Sequence, residues 1–229
     1  MFIQQFFDSR ERTASVLADE IAGHLRAAID ARGLATLVLS GGSSPLATLN
    51  ALATRELDWS KVTVLASDER WVDEQDPASN AAMIRRELLR ERAEQARLVS
   101  LYEPNVAAPD ALAAINARVD ALPMPFDYVL LGMGDDGHTA SLFPDDPDIA
   151  AALVSRQACV LASPPSQPLL RISLTPNALL NARSLGLLFF GQSKADVFAQ
   201  ASLDGDLSEF PVRAVLRQEI VPVTTFYAQ

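Results

Sequence analysis

The residues best equipped for chemistry share one stretch, Gly132-Met133-Gly134-Asp135-Asp136-Gly137-His138-Thr139-Ala140-Ser141-Leu142-Phe143-Pro144. An apolar run, Tyr128 to Leu131, stops there at glycines, carboxylates and one of the chain's two histidines. Imidazole is the side chain suited to moving a proton near neutral pH, so His138 is the first candidate catalytic residue. Asp136, two positions earlier, could orient or tune the ring. Ser141 is a weaker candidate, as a nucleophile. His24 lies in a helical pattern among polar neighbours and reads as a surface residue.

Other apolar runs also end in polar turns. Ser40-Gly41-Gly42-Ser43-Ser44-Pro45 follows Ala35–Leu39. Glycines there let the backbone approach a ligand, hydroxyls donate, and a following helix N-terminus favours an anion. The turn is either a phosphate cradle or an ordinary strand-to-helix link. It lacks the Gly-Lys-Ser/Thr ending of a nucleotide P-loop. Ser67-Asp68-Glu69-Arg70 follows Val62–Ala66. Its carboxylates could move protons or bind hydroxyls, and Arg70 could hold an oxyanion in a forked contact. Arg171, opening a short strand, and Lys194, after Gly191-Gln192-Ser193, could each give positive charge to a phosphate. No Gly-x-Ser-x-Gly elbow is present. Two distant histidines and one cysteine, Cys159, do not compose a zinc site. Asp145, Asp146 and Asp148 form a solvated loop or hold a hard cation. Cys159, beside Val160 and Leu161, reads as a small buried apolar residue.

Positioning these groups at one place requires a particular scaffold. Apolar residues at helical spacing (Val16, Leu17, Ile21, Leu25, Ile29) predict a helix from Glu11 to Arg32, stopped at Gly33. Further helices are expected from Pro45, from Ser79 or Asn80 to about Arg92, over Ala111–Leu122, and near Pro176 and Ser193. Strands are expected at Phe2–Phe7, Ala35–Leu39, Val62–Ala66, Leu98–Tyr102, Phe126–Leu131, Ala158–Ala162, Leu169–Leu174, Leu185–Phe190 and Val223–Tyr227. Strands alternating with helices predict an α/β fold: a mostly parallel, Rossmann-like sheet with helices on both faces. The polar turns then line one edge of the sheet. The soft stretches, Asp73–Pro77, Asp145–Asp148 and Ser163–Pro168, are too short for interdomain linkers, so residues 1–229 are expected to form a single domain.

The 229 residues are 49% apolar and 21% charged, enough for a sizeable core. The formal charge of −10 argues against a nucleic-acid binder. It also requires that any anionic substrate be held by a few local cations against the global field. No apolar run approaches a membrane span, and the N-terminus lacks a signal-peptide pattern. A cytoplasmic location is expected; the oligomeric state is open, with a monomer favoured.

Together these segments resemble the 6-phosphogluconolactonase family. The matching pieces are Leu39 to Pro45, Ser67 to Val72, Ser79-Asn80, Gly132 to Pro144, Arg171 to Thr175 and Gly191 to Ala195. They come in the family's order, and the Gly-Asp-Asp-Gly-His-Thr-Ala-Ser-Leu-Phe-Pro stretch is highly specific. The resemblance implies a fold shared with glucosamine-6-phosphate isomerase/deaminase and ribose-5-phosphate isomerase. It implies hydrolysis of 6-phosphoglucono-δ-lactone in the oxidative pentose phosphate pathway, with no metal or organic cofactor. By position, His138 corresponds to the general base and Arg70 to a substrate and charge-stabilising residue. Arg171 and Lys194 correspond to phosphate ligands, together with Gly41, Gly42, Ser43 and Ser44. Asp68 or Asp136 would orient the imidazole or the sugar hydroxyls. The related deaminases continue past the histidine to Asn-Glu-Pro and use that glutamate in ring opening. Here Phe143 precedes Pro144, which disfavours an isomerase or deaminase. A sugar-phosphate sensor on the same fold is the remaining alternative.

Overall fold

Ala35 to Leu39 carries no charged side chain, and all five residues are buried, as expected of a strand covered on both faces. A computed structural model describes residues 2–229. Its strands are β1 (Phe2–Phe7), β2 (Ala35–Leu39), β3 (Val62–Ala66), β4 (Asp68–Arg70), β5 (Arg97–Val99), β6 (Tyr128–Gly132), β7 (Cys159–Ala162), β8 (Arg171–Leu174), β9 (Leu185–Phe190) and β10 (Val223–Ala228). Its helices are α1 (Arg10–Arg32), α2 (Leu46–Ala53), α3 (Asn80–Glu87), α4 (Ala108–Asp120), α5 (Ile149–Val154), α6 (Pro176–Leu179), α7 (Gln192–Ala201) and α8 (Arg213–Leu216). Seven strands form one sheet in the order β1-β10-β9-β6-β2-β3-β5, every neighbouring pair parallel.

Period-two alternation divides the core. Leu37, Leu39, Val64 and Leu130 face one side, where Leu17, Ile21 and Leu25 of α1 and Leu49 and Leu52 of α2 cover them. Val38, Leu65, Val129 and Leu131 face the other, against Ile115 and Val119 of α4 and Phe198 of α7. The expected mostly parallel sheet with helices on both faces is therefore present.

Two expectations about strands need correction. Ser67–Arg70 is not simply a turn: Asp68–Arg70 is a strand, paired antiparallel with β8. With β7 they make a separate three-stranded sheet, so the Arg171 strand is not part of the parallel sheet. This second sheet buries Ile172 and Leu174 in the same core layer as α4. The helix expected to reach Arg92 ends at Glu87, capped at its start by Ser79, whose hydroxyl accepts from Ala82 N.

From β2 the sheet grows through β3 to β5. The chain then returns to place β6 on the other side of β2, and β9, β10 and β1 continue outward. The order reverses between β2 and β6, and ligands of open α/β sheets bind in the crevice at such a switch point. The turns leaving these two strands are Ser40–Pro45 and Gly132–His138.

Candidate active site

A cleft of about 290 Å³ opens at this switch point. Nine of the ten residues to which the family resemblance gives a role line it: Gly41, Gly42, Ser43, Ser44, Asp68, Arg70, His138, Arg171 and Lys194. The tenth, Asp136, stands behind His138. Asn80, Asp135 and Ala140 also line it. The sequence marks Asn80 as a helix-capping position and, with Ser79, as one of the pieces that match the family, but gives it no role in the site.

His138 is half-buried, with Nδ1 2.5 Å from Asp136 Oδ1. The same oxygen accepts from the His138 backbone N at 3.0 Å. Burial opposes ionisation of Asp136, but hydrogen bonds and charge from His138 outweigh it, and the carboxyl lies below its ordinary pKa. An ionised carboxylate can only accept, so Nδ1 carries a proton, and in the neutral ring the lone pair is on Nε2. Among the described residues Nε2 has no protein partner. Gly134 makes room for this pair: a Cβ there would lie 2.1 Å from His138 Nδ1 and 2.7 Å from Asp136 Oδ1.

Because folding depresses the Asp136 pKa, the pair's contribution to stability is present above the ordinary aspartate range, about pH 3.9. It is lost as pH falls through the lower folded value. Urea midpoints of the parent and of Asp136→Asn should therefore differ most above about pH 5 and converge toward about pH 3. A constant difference across that range contradicts the ionised pairing.

Asp68 does not reach the imidazole. Its Oδ1 accepts from Ser67 Oγ at 3.1 Å and its Oδ2 from Ser141 Oγ at 2.6 Å. Arg171 Nη1 stands 3.9 Å from Oδ2. Ser141 is 1% exposed and spends its hydroxyl on Asp68, so it is not a nucleophile candidate. Glu69 faces away from the cleft and accepts from the backbone N of Arg70, Asn80 and Ala81 and from Ser79 Oγ, with burial raising its carboxyl pKa. It thereby fixes the N-terminus of α3 and holds Asn80 at the cleft. Asn80 in turn donates to Asp68 O at 2.7 Å and accepts from Arg70 Nη1 at 3.1 Å. Gly41 lies so near that a Cβ would come within 2.1 Å of Asn80 Oδ1.

Arg70 and Arg171 face each other across β4 and β8. Arg70 Nη1 also donates to Ala78 O at 2.6 Å, and Arg171 Nη2 to Gln167 Oε1 at 2.8 Å. Each keeps a buried Nε without a partner. Burial and the neighbouring Arg70 charge lower the pKa of Arg171. Gln167 belongs to the Ser163–Pro168 loop, which Asp145 and Asp146 hold by accepting from Ser166 N and Ser163 N. These two carboxylates therefore serve the loop rather than a cation.

The Gly41–Ser44 turn also lines the cleft, and the backbone N–H groups of Gly41, Gly42, Ser43 and Ser44 donate to no acceptor among the described residues. Lys194, in the first turn of α7, has no carboxylate within ion-pair distance there. Asp135 lies beside it and accepts from Ser193 Oγ at 3.1 Å. A turn of free N–H groups, an unpaired lysine and two arginines with unused donors compose a site for an oxyanion.

Two residues fall outside the cleft. His24 is half-buried rather than exposed, its ring 5.2 Å from that of Tyr128. Cys159 is fully buried, with burial pushing its thiol up to about 12. Among the described residues no helix is long and apolar enough to cross a membrane.

Residues 8–224 match the family model described as glucosamine-6-phosphate isomerases/6-phosphogluconolactonase. A 6-phosphogluconolactonase of Pseudomonas aeruginosa PAO1 is 44% identical over 216 residues, 93% of this chain and 90% of that protein. One from Rhizobium meliloti 1021 is 40% identical over 230 residues, 97% of each. The crystal structure of a 6-phosphogluconolactonase from Shewanella baltica OS155 superposes with a TM-score of 0.97 at 38% identity, covering 100% of this chain and 98% of the other. The chain belongs to the glucosamine-6-phosphate isomerase/6-phosphogluconolactonase family.

Proposed function

We propose that the cleft hydrolyses 6-phospho-D-glucono-1,5-lactone to 6-phospho-D-gluconate, the lactone-opening step of the oxidative pentose phosphate pathway, with His138 as general base. The observation that carries this mechanism is what one cleft brings together: an imidazole with a free Nε2, a turn of free N–H groups and three cations. The 6-phosphate rests on the Gly41–Ser44 turn, Arg171 and Lys194. Tethering that end presents the ring carbonyl to His138.

Nε2 takes a proton from water as its oxygen bonds to C1. The carbonyl π electrons move onto oxygen, and the Arg70 guanidinium, which lines the cleft, meets the developing charge. The carbonyl re-forms as the C1–O bond to the ring oxygen breaks, the imidazolium returns its proton to that oxygen, and the carboxylic acid left at C1 gives its remaining proton to solvent. Asp136 holds the ring in the required tautomer throughout. Asp68 keeps the Arg171 guanidinium in place rather than acting on the ring. The product is a carboxylate and a free hydroxyl. Residues 1–229 act as one domain, a cytoplasmic monomer.

Phe143 stands where a deaminase places its ring-opening glutamate, so glucosamine 6-phosphate should release no ammonia. The direct test generates lactone with glucose-6-phosphate dehydrogenase and follows acid release with and without the protein. Opening above the spontaneous rate is expected; tight binding with no added rate would make the protein a sensor.

In Gly134→Ala the added methyl displaces either the imidazole or its carboxylate. Misplacement on that scale lowers kcat about 100-fold, while 6-phosphogluconate still binds. Parent kcat in this variant contradicts the assigned His138–Asp136 geometry.

A further inference from the structure

Phe143 is 2% exposed, yet its ring belongs to none of the apolar clusters that form the core. It spends its faces on the site instead. The His138 ring stacks on it, centroids 4.1 Å apart and planes inclined by 30°. The Arg171 guanidinium carbon lies 5.3 Å from the same ring centroid. The side chain is carried by a braced turn: Thr139 Oγ1 donates to Gly132 O at 2.8 Å, Leu142 N to Thr139 O at 3.0 Å and Asp146 N to Phe143 O at 3.2 Å.

A hydrogen bond to Nδ1 fixes one edge of an imidazole but leaves its plane free to rock about that bond. A stacked aromatic face removes the rocking, and the negative face of the ring also attracts a guanidinium. We infer that Phe143 is a positioning residue that sets the plane of His138 and, through the same ring, the place of Arg171. The proton acceptor and the phosphate grip are thereby kept in fixed relation. This inference rests on the roles given to His138 and Arg171 above. Gly134, Asp136 and Phe143 then surround the imidazole with space, a hydrogen bond and a plate, leaving Nε2 as its working edge.

The test compares Phe143→Leu and Phe143→Met, which keep apolar bulk without a ring, with the parent and with His138→Ala. Loss of the plate should lower kcat about tenfold or more while KM rises no more than about threefold, in proteins that still bind 6-phosphogluconate. The chain has two histidines, so a His24→Gln variant assigns the two imidazole signals by NMR. In the parent, the ring current of Phe143 should move the His138 Hε1 signal upfield, with cross-relaxation between the two rings; in Phe143→Leu the signal should move downfield. The parent spectrum decides the matter even if neither variant folds: a His138 signal without the upfield shift or the cross-relaxation overturns the inference. So does a kcat within about twofold of the parent in a folded variant. If His138→Ala keeps parent turnover, the base assignment has failed; if it is impaired while Phe143→Leu is not, only the role of Phe143 has failed.

Discussion

Replacing His138 with alanine should lower kcat by about 10²–10⁴-fold, the usual contribution of general acid–base catalysis, with little change in KM. Nδ1 is committed to Asp136, Nε2 has no protein partner, and the ring lines the cleft. In the proposed mechanism the side chain meets the reacting water and ring oxygen and takes no part in holding the phosphate. Removing it therefore costs transition-state stabilisation and leaves ground-state binding intact. Steady-state kinetics on freshly generated lactone, corrected for spontaneous opening, check this. Parent turnover in His138→Ala would end the assignment.

The second large effect is expected at Arg171. Its side chain is 7% exposed and keeps Nε unpartnered beside the cleft. Truncating one member of a buried, hydrogen-bonded charge pair costs about 2–5 kcal/mol. That corresponds to about 30- to 5000-fold in kcat/KM for the phosphorylated lactone. Unphosphorylated gluconolactone brings no anion to the site, so Arg171→Ala should change its hydrolysis only a few-fold, about the size of the lost contact with Phe143. Equal losses on both lactones would place Arg171 at the carbonyl rather than the phosphate. The comparison also bears on charge: in a chain of net charge −10, Arg70, Arg171 and Lys194 line one cleft and supply the local cations that an anionic substrate requires.

Much of this arrangement was legible in the sequence because its signals are local. The apolar run of β2 and the helical spacing of α1 needed no long-range information. The Ser40–Pro45 and Gly132–His138 turns, each following such a run, were placed on one sheet edge by the parallel topology alone. What was not legible depended on partners distant in the chain. Asp68–Arg70 is a strand because β8 pairs with it, about a hundred residues later, and three charged residues carry no β signature of their own. Asp68 and Ser141 meet across 73 positions, which turned a candidate nucleophile into a bracing hydroxyl. The choice between Asp68 and Asp136 as the imidazole's partner required the side-chain geometry of a tight turn. Phe143 was readable as the absence of a glutamate, but its contacts with His138 and Arg171 were not. Asn80 reached the cleft because Glu69, buried beneath α3, holds that helix's N-terminus in place.

The central claim is spatial: one cleft holds both a base for the lactone carbonyl and a grip for the phosphate of the same sugar acid. A crystal structure of the protein with 6-phosphogluconate tests it most directly. The account predicts the phosphate on the Gly41–Ser44 turn within hydrogen-bond reach of Arg171 and Lys194, and the C1 carboxylate beside His138 Nε2. A product bound in the reverse sense, with its phosphate against His138, would contradict it.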